Sequence, residues 1–225
     1  MAIASPARPR AEHRQDLTEH NLRRLAGLTG LAAAVLVLSE LPLYVAYSAP
    51  TPDSKVLTRS LFGFLGLASM TSLAVFMVSL RPLLSKAGFA GLLAPVAGIM
   101  WVVVELVSTG LETGAVIAAP QPIDPTIAAS GISILYGSST RLIEALFLIG
   151  FGVAVSRLAL LPRWASISAY VLAGINLFFV PSFYFGNDPS NFYAANGWGT
   201  TASMGGVLMI WMLCIGVAML CKRSS

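Results

Sequence analysis

Hydrophobic residues collect in six long runs, and the polar residues fall mainly into the connections between them. The runs cover about Leu25–Tyr47, Ser60–Leu80, Ala87–Ser108, Gly131–Val155, Trp164–Val180 and Thr200–Leu220. A helix rises 1.5 Å per residue and needs about 20 apolar residues to cross roughly 30 Å of hydrocarbon. Each run is near that length, so the pattern predicts six transmembrane helices. The fifth is the shortest and stops at Pro181, which cannot continue a helix ladder. Residues 1–21 are too polar, with acids among their bases, for the short basic start of a signal peptide. They are read as a disordered cytosolic tail, and residues 22–225 as one six-helix transmembrane domain.

Composition strengthens this reading. Hydrophobic residues make up 56% of the chain and charged ones 11%, against about 25% charged in soluble domains. The expected fold class is all-α, an integral membrane helical bundle. Charge then orients it. Eleven of the 14 basic residues lie in the N-terminal tail, in the second and fourth connections and at the C-terminus. Lys55, Arg59 and Arg141 lie on the other side, with Asp53, Glu112, Asp124 and Asp188. By the positive-inside rule both termini are cytosolic. The segments "ETGAVIAAPQPIDPT" and "PSFYFGNDPSNFYAANGW" then face outward, the first irregular or partly re-entrant because it carries three prolines.

With that topology, awkward polar groups from four helices reach one layer near the outer side. Helix one brings Glu40, helix three Glu105 with Glu112 beyond it, helix four Arg141 and Glu144, and helix five Asn176. Spacing puts Glu40, Tyr44 and Tyr47 on one face, and Trp101, Glu105, Ser108 and Glu112 on another. The expectation is an outward-opening polar cavity in which Arg141 pairs with one or more of Glu40, Glu105 and Glu144. A charged side chain at the bilayer centre costs about 2.5–3.5 kcal/mol on insertion scales, which biases such residues toward function. The competing reading is an ion-pair network that only holds helices in register. The aromatic residues around Phe178–Phe185, Phe192, Tyr193 and Trp198 read either as an interfacial belt or as a lid over an apolar substrate.

Absences narrow the chemistry. The only histidines are His13 and His20 in the tail, and no HExxH, CxxC, GxSxG or glycine-rich phosphate loop occurs. Cys214 and Cys221 are seven apart in the last run, too far for a disulfide and suited to packing as small hydrophobes. Carboxylate chemistry remains, with a desolvated Glu acting as acid or base.

The stretch "STRLIEALFLIGFGVAVSRLALLPRWAS" resembles part of a broad set of small six-helix bacterial membrane proteins of unknown function. There a charged pair opens the fourth helix, here Arg141 and Glu144, and a Pro-Arg-Trp step opens the fifth, here Pro162-Arg163-Trp164. "LRPLLSKAG" after the second run is similar to that family's loop. The resemblance implies the six-helix layout and no activity. In architecture the chain is also similar to integral-membrane terpene cyclases, helical bundles that use acids near one membrane face to protonate an olefin or epoxide.

The leading expectation is a membrane-embedded enzyme for acid-initiated cyclisation or isomerisation of an isoprenoid-like molecule. Glu40, Glu105 and Glu144 are the candidate acids, and Arg141 tunes or orients one of them. Tyr44, Trp101, Asn176 and Tyr184 are candidate substrate-binding residues. No cofactor, metal or nucleic acid is expected. The partners are a lipophilic small-molecule substrate and membrane lipids, with a homo-oligomer left open. The alternatives are a small transporter or channel component using the same carboxylates, and a structural membrane protein.

Overall fold

Three of the six main helices are entered through a π-helical turn, and all three turns lie at one end of the bundle. The computed structural model describes residues 8–47, 59–120, 131, 134–188 and 190–221. The helices are α1 (Arg8–Tyr47), α2 (Leu67–Leu84), α3 (Phe89–Ala118), α4 (Thr140–Leu158), α5 (Arg163–Phe179) and α6 (Met204–Cys221). Among the described residues no strand occurs. The π turns Arg59–Gly66, Leu135–Ser139 and Gly199–Ser203 lead into α2, α4 and α6.

Five helical stretches are long and apolar enough to cross a membrane: Thr18–Pro42, Gly63–Ala87, Phe89–Ala118, Arg163–Phe185 and Gly199–Cys221. This is the signature of an integral membrane protein. Helix α4 is not among them, because its 19 residues include Arg141, Glu144 and Arg157.

Several boundaries differ from those predicted by the apolar runs. Helix α1 begins at Arg8, so much of the segment expected to be a disordered tail continues the first helix. Between Pro9 and Leu25 the sequence holds Ala, Glu, Arg, Gln and Leu with no Gly or Pro, a composition with good helix propensity. Helix α3 runs ten residues past Ser108 and takes in "ETGAVIA", expected to be irregular. It stops at Ala119, which is extended (ψ 135°) because the following Pro120 disfavours helical geometry there. Helix α2 passes through Pro82 to Leu84. The connection at Pro122–Thr126 lies outside the described residues.

Sequence neighbours pack together: α1 on α2, α2 on α3, α3 on α4 and α4 on α5, while α6 returns to α1. Without a hydrophobic drive between helices in lipid, small residues that allow close approach become the contact points. Gly150 shows this. A Cβ built there would lie 2.8 Å from the Ala94 backbone nitrogen, so α3 and α4 meet backbone to backbone. Helix α4 is the most enclosed. Its Phe147 and Phe151 meet Trp211 of α6 edge-on, and Phe147 also meets Trp101 of α3. The Trp211 indole donates to the Ser168 hydroxyl at 2.9 Å, tying α6 to α5. Large apolar residues such as Val78, Leu111, Val171 and Ile210 point outward from the bundle.

The α4–α5 turn is tight. Ala159 adopts a left-handed conformation (φ 47°) at the end of α4, and the amide of Leu160 reaches back to the Val155 carbonyl at 3.3 Å. Leu160 and Leu161 then turn into the core, and Pro162 precedes α5.

Candidate active site

Helices α1 and α3 run one way through the bundle, and α2, α4 and α6 return. Residues late in the first pair and early in the others therefore share one layer. Glu40 lies near the end of α1, Glu105 in the second half of α3, and Arg141 and Glu144 in the first turns of α4. They line one cavity of about 180 Å³. Trp101, Val37 and Leu41 contribute walls from α3 and α1.

Arg141 Nη1 and Glu144 Oε2 approach to 2.7 Å with both side chains buried. The contact pairs opposite charges on one helix face. Glu105 sits in the field of Arg141, and its Oε1 accepts the indole N–H of Trp101 at 3.3 Å. The pairing of Trp101 with Glu105 follows from their four-residue spacing, which stacks them on one helix face. Glu40 faces the same cavity, and its buried Oε1 has no hydrogen-bond partner. Glu40 and Glu105 are close enough to interact electrostatically across the space between α1 and α3.

Of the residues singled out in the sequence, Glu40, Trp101, Glu105, Arg141 and Glu144 thus come together. Others do not. Asn176 is fully buried, but its amide nitrogen donates to Leu172 O on its own helix at 3.0 Å and it does not line the cavity. Helix α5 packs on the far side of α4, which separates Asn176 from the acids. Tyr184 is 78% exposed and also lies away from the cavity. It belongs to the 3₁₀ turn Val180–Phe185, whose one inward residue is Ser182, and the turn carries Tyr184 outward. The side chains of Tyr44 and Tyr47 lie outside the described residues. Glu112 is buried farther along α3 and does not reach the cavity.

Sequence reasoning missed Met70, Thr109, Thr201, Gly205 and Met209, which complete the wall. Thr109 carried a signal, since it follows Glu105 by four residues. Thr201 did not, because its position depends on the π turn that opens α6. Such turns recur at functional sites, where the extra residue re-aims side chains. In the turn before α4, Gly137 leaves helical geometry (ψ −106°). A Cβ there would lie 2.4 Å from the Ala195 carbonyl oxygen, so the loop after α5 presses directly on this turn.

That loop folds on itself around Tyr193, whose hydroxyl donates to the Phe178 carbonyl and whose ring meets those of Phe178, Phe179 and Phe185. Its aromatic residues do not line the cavity, so the lid reading gains no contact from the geometry. At its exposed rim, the hydroxyl and amide of Ser190 both donate to Asp188 and hold its carboxyl below the usual range.

A second hollow of about 760 Å³ lies between α1 and α2 at the opposite end, with Leu22, Leu25, Val75 and Val78 in its wall and Arg81 as its charged member. Among the described residues no group of three His, Cys, Asp or Glu is arranged to hold a metal ion. What the carboxylate cavity can do is hold and move protons beside an apolar surface, with one fixed positive charge among three acids.

The fold and cavity define an all-α membrane-type bundle with a buried carboxylate site. No protein family, curated protein or solved structure matches the chain.

Proposed function

We propose that the chain is a six-span integral membrane enzyme, with both termini in the cytosol, that performs acid–base chemistry on the reactive end of a lipophilic molecule. The sixth span is α4. Its 19 residues reach about 28 Å at 1.5 Å each. Its Arg141 and Glu144 face the bundle interior, where intramembrane ionisable groups belong, while Arg157 lies exposed near its end. One observation carries the functional reading. Three carboxylates delivered by three different helices surround one largely apolar cavity with a single guanidinium.

The size of the cavity bears on the substrate. At about 180 Å³ it is close to an engineered 150 Å³ cavity that binds benzene and below the 300–1,000 Å³ of drug-sized ligand pockets. One unsaturated end of an isoprenoid-like chain would fit, with the remainder of the chain lying in the bilayer. Glu40, which has an unpartnered carboxyl oxygen, is the proposed proton donor. Its proton adds to an alkene carbon and leaves a cation on the neighbouring carbon. An internal alkene can attack that cation to close a ring. Loss of a proton from an adjacent carbon to Glu105 then restores a double bond, so no oxidant or reductant is consumed. Glu144, paired with Arg141, supplies fixed negative charge near the developing cation. Trp101 lines the same space, and its π system would stabilise the cation.

A transporter's proton or cation site is the second reading, favoured by the excess of carboxylates over cations in the cavity. Lipid-extract analysis separates the two. Membranes containing the protein should convert a supplied polyisoprenoid to an isomeric product, whereas a transporter yields none and shows proton-coupled flux in sealed vesicles.

A further inference from the structure

Beside the cavity lies a second group of buried polar atoms that the proposed chemistry does not use. Asn196 is 6% exposed, and neither its amide nitrogen nor its amide oxygen has a hydrogen-bond partner. Thr200 is fully buried, and its hydroxyl also has none. An Asn side chain offers two N–H donors and an acceptor, and leaving such groups buried and unsatisfied costs about 1–3 kcal/mol each. Native proteins almost always satisfy them with protein or ordered water. Thr200 lies in the π turn that opens α6, and Asn196 lies three residues before that turn begins.

The surroundings join these atoms to the cavity. A Cβ at Gly137 would lie 3.6 Å from the Thr200 methyl and 2.4 Å from the Ala195 carbonyl oxygen. Thr200 and the chain beside Asn196 therefore abut the π turn of α4, and Arg141 follows Gly137 by four residues. Ser138 in that turn shares a buried 2.6 Å hydroxyl pair with Ser182. Thr201, next to Thr200, lines the carboxylate cavity. On the other side Asn191 is exposed, and the amide of Ala194 donates to its carbonyl at 3.0 Å.

We infer that this junction of two π turns and the 186–199 loop is a hydrated polar passage. Its water-binding groups are Asn196 and Thr200, and it joins the aqueous face of the loop to the carboxylate cavity. It would exchange protons with the acids while the lipophilic molecule occupies the apolar side. The purpose of the passage rests on the acid–base reading of the cavity, but its hydration can be measured without turnover.

The test is thiol accessibility in membranes holding the full chain, with Cys214 and Cys221 replaced by Ala. Thr200→Cys and Asn196→Cys are compared with Met212→Cys, a fully buried core position, using a small cationic methanethiosulfonate. The cysteine thiolate, which forms where water reaches the sulfur, attacks the reagent to form a mixed disulfide and release methanesulfinate. The passage predicts labelling at 200 and 196 at least about tenfold faster than at 212. Where Thr200→Cys does not fold, judged by its melting in detergent, Asn196→Cys decides. Labelling as slow as at 212 in the folded variants overturns the inference. Because no product is measured, that outcome would leave the chemistry of the cavity standing, and inactive protein would leave the passage standing.

Discussion

The guanidinium of Arg141 and the carboxylate of Glu144 lie 2.7 Å apart, three residues from each other on α4 and almost wholly buried. Their attraction compensates for two charges removed from water only while both are present. Taking one away leaves the other uncompensated, which in buried pairs costs about 3–5 kcal/mol.

Arg141→Met should therefore destabilise the protein by about that amount. The double variant Arg141→Met/Glu144→Leu should recover part of the loss, because it removes the Glu144 charge along with its partner, while Glu105 still lacks the field of Arg141. Melting of the three proteins in one detergent measures this. A double variant as unstable as the single one would show that the pair matters for more than mutual neutralisation.

Ala159 holds the left-handed position that ends α4 (φ 47°), a conformation costing an L-residue roughly 1–2 kcal/mol. Glycine adopts it freely but loses more entropy on folding. Ala159→Gly should thus stabilise the chain by up to about 1 kcal/mol, seen as a higher melting temperature with unchanged expression.

At the crossing of α3 and α4, Gly150 has no room for a side chain. Gly150→Ala puts a methyl carbon 2.8 Å from the Ala94 nitrogen, and overpacking of this kind costs about 1–3 kcal/mol. The helices it separates carry Glu105 and Glu144, so activity should fall more than in Gly174→Ala. A Cβ at Gly174 meets nothing within 4 Å.

Five helices long and apolar enough to cross a membrane, and the meeting of Glu40, Glu105, Arg141 and Glu144, were legible in the sequence for one physical reason. Apolar length fixes how many times a chain crosses, crossing alternates direction, and direction converts position in a run into depth. Depth did not tell which way a side chain faces. Asn176 was expected at the same depth, yet α5 packs on α4 and its amide turns to Leu172. Tyr184 follows Pro181, and the 3₁₀ turn that results sends it outward. The π turns before α2, α4 and α6 leave no mark in hydrophobic periodicity, since each adds a residue without changing composition. Thr201 reaches the cavity through one of them, which is why it was missed.

Orientation rests on the division of basic residues and is open to direct measurement. A reporter fused after Ser225 or inserted beside Lys86 should read cytosolic, and one inserted near Asp124 should read external. A C-terminus found outside would reverse the placement of the cavity relative to the membrane.

Acid–base chemistry by the cavity's carboxylates is open to test by a Glu-to-Gln series. Glu40→Gln, Glu105→Gln and Glu144→Gln keep side-chain size and much of the hydrogen bonding while removing the acid. Product formation from polyisoprenoids should be measured in membranes beside melting curves in detergent. At least Glu40→Gln should lose about 10²–10⁴-fold in rate, the usual range for a lost general acid, while its melting temperature stays near that of the parent. Full activity in all three variants would contradict the account, and unfolding of all three would show that the carboxylates hold the bundle together instead.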